Sequence, residues 1–327
     1  MPLKLTTYSS GNEIPSIPGK NIFHSRELFL VYEATPGYSP LLIVASEQER
    51  PVFRLLAVVR KSLRLFPPSL IKRCEIYGTG ELLDEHENKE VIFEEVLKHL
   101  TGEVLPHTFL IEFRNLENSL FGYKPFRECS YFPVNWLRVR NSLHSLHTPM
   151  ERFSESRRRQ IKKGLKNGAI ICEAVSHDDI TAFSQMLKKN YSAKIRKHFP
   201  EAVFFKVLIN LCGPKGIGKI FVVKYKEKII GGSVCLYSGQ NAFLLFSGGL
   251  RKSYAKQYPG VLAVWKALED AYSRNIEHLE FMDAGLPFKK HGYREFILRF
   301  GGKQSSSRRW FRFRWSFLNK ILVKIYV

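Results

Sequence analysis

The chain has 327 residues, of which 44% are hydrophobic, and a formal net charge of +21. The length suits two domains of middling size, and the apolar content excludes a disordered chain. The charge favours anionic partners (nucleic acid, anionic lipid or phosphorylated small molecules) without choosing among them.

Five cysteines, at 74, 129, 172, 212 and 235, are dispersed with no C-x-x-C pair and no metal-type spacing to histidine. That pattern predicts reduced thiols, an intracellular protein and no metal site. The start, Met1-Pro2-Leu3-Lys4-Leu5, lacks the apolar run of a signal peptide, and no run approaches the roughly 20 residues of a membrane span. The expectation is a cytoplasmic protein, soluble or peripheral at the inner membrane face.

Residues 1–25, rich in Pro, Gly and Ser, read as an entry loop. Leu28 to Tyr32 and Leu41 to Ala45, separated by Pro36-Gly37-Tyr38-Ser39-Pro40, read as strand, turn and strand. Val52 to Val59 is a third strand, Pro67-Pro68 a break, and Cys74 to Gly80 a strand running into a glycine turn. Helical spacing predicts a helix from Lys89 to Leu100, followed by a strand from Thr108 to Phe113. Asn135 to Thr148 reads as a connector, which places a domain boundary near 150: one domain over 1–150, a second over 151–327.

The second half opens on a cationic helix, Ser154 to Gly168, capped by Ser154 or Ser156 and stopped by Asn167-Gly168. Ala169 to Val175 is a strand, Asp178-Asp179 begin a helix through Asn190, and another helix covers about 201–212. Strands follow at Lys219 to Lys224, Lys228 to Leu236 and Asn241 to Ser247. A basic loop, Gly248 to Tyr258, leads to a helix that begins at Pro259, a residue suited to the first turn. The free amides and dipole of that helix start make an anion site framed by Arg251, Lys252 and Lys256, which can equally be solvated lysines of a surface loop. His278 to Met282 is a short strand ending at Asp283, with Lys289 beyond. Asp283 can line a cleft and deprotonate an amine, or cap the turn at Ala284-Gly285. Both halves show hairpin strands, then a helix, then a strand.

The paired Gly231-Gly232, the strand to Ser247 and the basic loop before a helix resemble the core of the GNAT acyltransferase superfamily. Three segments, Ser156 to Gly164, Met282 to Gly285 and Tyr293 to Gly302, are similar to its FemAB-like (CelD-like) branch. The resemblance covers about 150–305. It implies an α/β fold with mixed sheets, two tandem GNAT-like domains with a cleft between them, the first of them degenerate. It also implies an enzyme that transfers an acyl or aminoacyl group to an amine, the acceptor often a cell-wall or polysaccharide precursor. The donor would be acyl-CoA, as co-substrate rather than resident cofactor, or aminoacyl-tRNA. Leu245, Phe246 and Ser247 would supply oxyanion donors from a splayed strand, with Gly260 at the phosphate loop; Arg251, Lys252 and Lys256 would hold donor phosphates. Tyr293 would protonate the leaving group and Asp283 would act as base. Arg158, Lys162, Lys289 and Arg299 would contact substrate, whether a nucleotide sugar or a lipid-linked glycan. The chain departs from the family twice. Gln257-Tyr258-Pro259-Gly260 only approximates the Gln/Arg-x-x-Gly-x-Gly/Ala phosphate loop, and Ile297 stands where the branch has lysine.

Two other readings compete. The charge alone would suit a nucleic-acid-binding protein, although no zinc pattern, RNA-binding signature or heptad repeat accompanies it. The two departures would suit a degenerate acyltransferase that serves as a scaffold in envelope biosynthesis. At the C-terminus, Phe311, Phe313 and Trp315 alternate with arginines as in a strand, and Leu318, Ile321, Leu322 and Ile325 fall at helical spacing. That tail reads as a last strand and a docked helix, or as a membrane-surface anchor.

Overall fold

A computed structural model describes residues 3–61, 72–83, 88–144, 147–190 and 199–326. The chain divides into two units, Met1–Trp136 with Ser306–Val327, and Leu137–Ser305. Each is a mixed α/β layer structure.

In the first unit, strands β1 (Lys4–Tyr8), β2 (Tyr38–Glu47), β3 (Arg50–Lys61) and β4 (Lys72–Tyr77) form an antiparallel run, with β5 (Glu81–Leu82) paired to β3. β4 then pairs in parallel with β6 (Leu110–Arg114). Parallel neighbours need a crossover, and helix α2 (Lys89–Val104) provides it. Its Ile92, Phe93, Val96, Leu97 and Leu100 are buried against Phe53, Cys74, Ile76, Ile111 and Phe113 of the sheet. Asn88 caps the helix, accepting from the Glu90 amide at 3.1 Å. Helix α3 (Tyr123–Glu128) closes one side of this core, where Phe126 stacks on Trp310 at 4.6 Å.

The second unit repeats the plan. Strands β8 (Ile170–Glu173), β9 (Gly218–Tyr225), β10 (Lys228–Ser238) and β11 (Asn241–Gly249) run antiparallel. β11 then pairs in parallel with β12 (His278–Phe281) through a crossover helix of 15 residues at Pro259–Ser273. Helices α4 (Glu155–Lys166), α5 (His177–Asn190) and α6 (Ala202–Cys212) precede that crossover helix, α7. A short helix, α8 (Gly292–Leu298), follows. Each run then gains one more antiparallel strand. β7 (Phe132–Ser142) pairs with β12, and β13 (Lys303–Phe313) pairs with β6. A final helix, α9 (Ser316–Tyr326), follows β13.

Four expectations are corrected here. The entry loop contains strand β1, and Leu28 to Tyr32 is not a strand but part of helix α1 (Arg26–Glu33). Ser25 caps it, accepting from the Leu28 amide at 3.1 Å, and a five-residue apolar run has no period by which to tell the two apart. Asn135 to Thr148 is mostly strand β7. Its buried Leu137, Val139 and Asn141 alternate with Arg138 and Arg140, and those charges hide it. The boundary expected at 150 also moves, because β7 opens the second unit at Leu137 and the tail from Ser306 rejoins the first. The expected break at Pro67-Pro68 lies outside the described residues. The other expected elements form within a few residues of their expected ends, including β13 and α9.

On the first sheet's face away from α2, Glu75 and Glu112 sit side by side across the parallel pair. Glu75 accepts from Arg60 at 2.6 Å and from Arg73, and Arg114 lies 3.5 Å away. Glu112 takes Arg114 at 3.0 Å and Arg309 at 2.9 Å. Burial pushes the Glu75 carboxyl up, but Arg114, Arg60 and Arg73 outweigh it and hold the group down at about 2. A carboxyl held below its unfolded value of about 4.3 contributes stability above that pH and loses it as pH falls toward 2. Glu75→Gln should therefore lower the unfolding free energy by about 3–5 kcal/mol, by leaving buried guanidiniums without their counter-charge. Denaturant melts at pH 7 measure this, and the gap between variant and wild type should shrink as pH drops from about 4 to 2.

Candidate active site

Four glycines make the site possible. Gly231 pairs with Gly249, and Gly232 with Gly248, across the β10–β11 ladder. A Cβ on Gly249 would lie 2.5 Å from the Gly260 amide nitrogen, and one on Gly231 2.8 Å from Pro259. The first turn of α7 thus presses directly on strand backbone, which only glycine permits. Tyr258 before it has φ 48°, and no side chain caps the helix. Its first-turn amides and positive dipole end are set against the strand.

Strand β11 bulges at the same place. Cys235 faces Leu244 and Val234 faces Phe246, so Leu245 has no partner on β10. The parallel pairing with β12 ends at Leu244–Phe281, and residues 245–249 run on past it. The Leu250 amide donates to the Ile230 carbonyl at 2.8 Å. By alternation, the amides of Ser247 and Gly249 turn to the other edge, beyond the end of β12.

A cavity of about 450 Å³ opens there. Ser247, Gly248 and Gly249 form one wall, Tyr258 to Val261 a second, and Tyr293, Glu295, Phe296 and Arg299 a third; Arg157, Gln160, Asn190 and Arg251 complete it. The Ser247 and Tyr293 hydroxyls are 3.2 Å apart. Tyr293 is held by stacking on Phe296, with ring centroids 6.1 Å apart.

Arg157 is the best-held cation of the cavity, 4% exposed. Its Nη1 donates to Gln160 Oε1 at 2.5 Å and its Nη2 to the Phe296 carbonyl at 3.0 Å. Its guanidinium stacks 4.3 Å from the Phe296 ring centre, and its buried Nε has no protein acceptor. Helix α4 can bring it here because Gly164 lets the helix approach the Gln257 carbonyl, where a Cβ would come within 2.7 Å. Burial, then the charges of Arg299 and Arg251, push the Arg157 pKa down to about 10. Among the described residues none of these three arginines forms an ion pair, and Glu295 is the only carboxylate in the wall. The arrangement suits a ligand bearing a phosphate or carboxylate.

Of the expected site residues, the cavity brings together Ser247, Arg251, Gly260, Tyr293 and Arg299. The others fall outside its walls. Asp283 is exposed and accepts the Gly285 amide at 3.0 Å, as a turn cap does. Leu245 is the bulge residue, and the Phe246 ring packs 5.5 Å from Phe205. Lys252 and Lys256 are exposed, and the Lys256 carbonyl takes the Asn167 amide at 2.7 Å. Arg158 and Lys162 lie on the solvent side of α4, and Lys289 is exposed.

Sequence reasoning passed over Arg157, Gln160, Asn190, Tyr258, Glu295 and Phe296. One signal was available. On the α4 wheel, Arg157, Ile161 and Gly164 share the buried face, whereas Arg158, Arg159, Lys162 and Lys163 point outward. A cation on the apolar face of a cationic helix is the one to single out.

Residues 151–290 match the family model described as an acetyltransferase (GNAT) domain. Among solved structures, FemX superposes with a TM-score of 0.64 at 10% identity, covering 99% of each chain. A tandem GNAT protein from the clavulanic acid biosynthesis pathway gives 0.58 at 8% identity, covering 96% of this chain and 99% of its own. L-PGS from Bacillus licheniformis gives 0.58 at 10%, covering 94% and 98%. At these identities the likeness is one of fold, and it runs through both units. No curated protein matches the sequence.

Gly249→Ala tests the close approach. The added methyl should force the α7 start off the strand and lower stability by about 1–3 kcal/mol. Gly239→Ala has open space around its Cβ but a φ of +55°, so it should cost only the backbone strain, about 1 kcal/mol. Thermal melts of the two variants compare them directly.

Proposed function

Because residues 151–290 match a GNAT domain within the fold of FemX and tandem GNAT proteins, we propose that this protein is an N-acyltransferase of the FemAB-like kind. It moves an acyl or aminoacyl group from acyl-CoA or aminoacyl-tRNA to an amine on a cell-envelope or polysaccharide precursor. The carrying observation is the cavity in which the bulged strand, the uncapped helix start and three guanidiniums converge.

The chemistry follows from those positions. Donor phosphates lie against the α7 amides and Arg251. The acyl carbonyl lies along residues 247–249, whose outward amides stabilise the oxyanion as the amine adds. A C–N bond forms, and the C–S bond of a thioester (or the C–O bond of an ester) breaks. The amine's proton passes to Glu295 or to water, and Tyr293 protonates the leaving sulfur or oxygen. Glu295 takes the part expected of Asp283, because it is the acidic residue that lines the cavity. Arg157 and Arg299 orient an anionic group on the acceptor. We read the reaction as cytoplasmic, where such donors are made.

Thiol release from acyl-CoAs with pooled amine acceptors, run beside transfer from aminoacyl-tRNA, is the test. Tyr293→Phe should lower kcat by about a hundredfold with KM little changed. Arg251→Ala should raise the donor KM by about tenfold or more with kcat little changed. No turnover with either donor class, by protein that melts normally, would sink the proposal and favour a scaffold.

A further inference from the structure

The exposed apolar side chains of the first unit concentrate in one short segment. Trp315, Phe317, Ile321 and Ile325 are 41 to 66% exposed, four of the eleven large apolar residues exposed among the described residues. Helix α9 is pinned by its opposite side. Asn319 is buried, donating to the Ser130 carbonyl at 2.6 Å and accepting from the Phe313 amide at 3.2 Å. Docking therefore does not use the outward residues. Phe317, Ile321 and Ile325 recur every fourth residue and make one stripe along the helix. Trp315 stacks on Phe317 at its head, with ring centroids 6.3 Å apart. Exposed Arg314, Lys320 and Lys324 flank the stripe, and no Asp or Glu follows Glu295 in the sequence.

We propose that this face docks on an anionic lipid bilayer. Phe317, Ile321 and Ile325 enter the boundary between headgroups and acyl chains, and Arg314, Lys320 and Lys324 meet the lipid phosphates. The lysine stems beside the stripe can reach outward to headgroups, as they do at a bilayer surface. The charge disfavours a second copy of this chain, since pairing two such stripes would bring six cations together with no carboxylate on β13 or α9. No helix among the described residues is long and apolar enough to cross a membrane, so the segment lies on the surface. The inference does not rest on the acyl-transfer reading.

The test is co-sedimentation of the full chain with vesicles of phosphatidylcholine alone, or mixed with phosphatidylglycerol. The protein should bind the mixed vesicles and leave the neutral ones. The triple variant Phe317→Ser, Ile321→Ser, Ile325→Ser should reduce binding by about tenfold or more, and so should Lys320→Glu with Lys324→Glu. All five positions are exposed, so thermal melts should match wild type. Failure of wild type to bind mixed vesicles overturns the proposal. So does loss of binding in the charge variant alone, which would reduce the face to a general attractor of anions. A dimer in sedimentation velocity that the apolar variant dissociates would assign the stripe to a second copy instead.

Discussion

The second unit depends on two backbones that touch. Nothing larger than hydrogen fits on Gly249 or Gly231 while the α7 start sits where it does. That approach sets a helix dipole against strand amides without a side chain between them, so two sources of positive potential act on one small volume. The bulge at Leu245 and the early end of β12 belong to the same device. A strand paired on both edges has no amides to offer, and β11 gains outward ones by leaving its neighbour after Leu244. The cavity is the space that this departure opens.

Clustered cations pose one electrostatic problem that the two units meet differently. In the first, Arg60, Arg73, Arg114 and Arg309 are tied to Glu75 and Glu112 within the sheet, and the charges are compensated locally. In the second, Arg157, Arg251 and Arg299 gather at a cavity with only Glu295 among them. A guanidinium held on aromatic rings beside two others is stabilised most by an anion that arrives from outside. The first arrangement is a structural solution, and the second leaves room for a ligand. Much of the remaining cationic surface, including Arg158 and Lys162, is solvated and contributes to the field rather than to a site.

The sequence was readable wherever a local signal stood alone. Ser154 and Pro259 mark helix starts, and the alternation of Arg312 and Arg314 with aromatics shows β13. It was misleading where two readings share one pattern. Leu28 to Tyr32 is too short to reveal a period, and β7 carries arginines on its alternate positions. At the site, the Gly231-Gly232 pair, the basic loop and Tyr293 were legible. Arg157 was hidden among five neighbouring cations, although its place on the buried side of α4 distinguishes it. Asp283 read as either a base or a turn cap, because both roles use the same residue type, and its carboxylate accepts the Gly285 amide.

By itself the sequence determined the alternation of elements, the tandem α/β plan, the glycines that permit close approach and the excess of positive charge. These are properties of neighbouring residues, set by propensity, periodicity and composition. Tertiary structure decided which distant strands join each run, which cations face inward and which acidic residue lines the cavity. The contacts responsible join residues far apart in the chain: 46 positions separate Ser247 from Tyr293, and 139 separate Arg157 from Phe296. Each residue type there is compatible with a solvated surface or a packed interior, and only the burial imposed by distant partners selects between them.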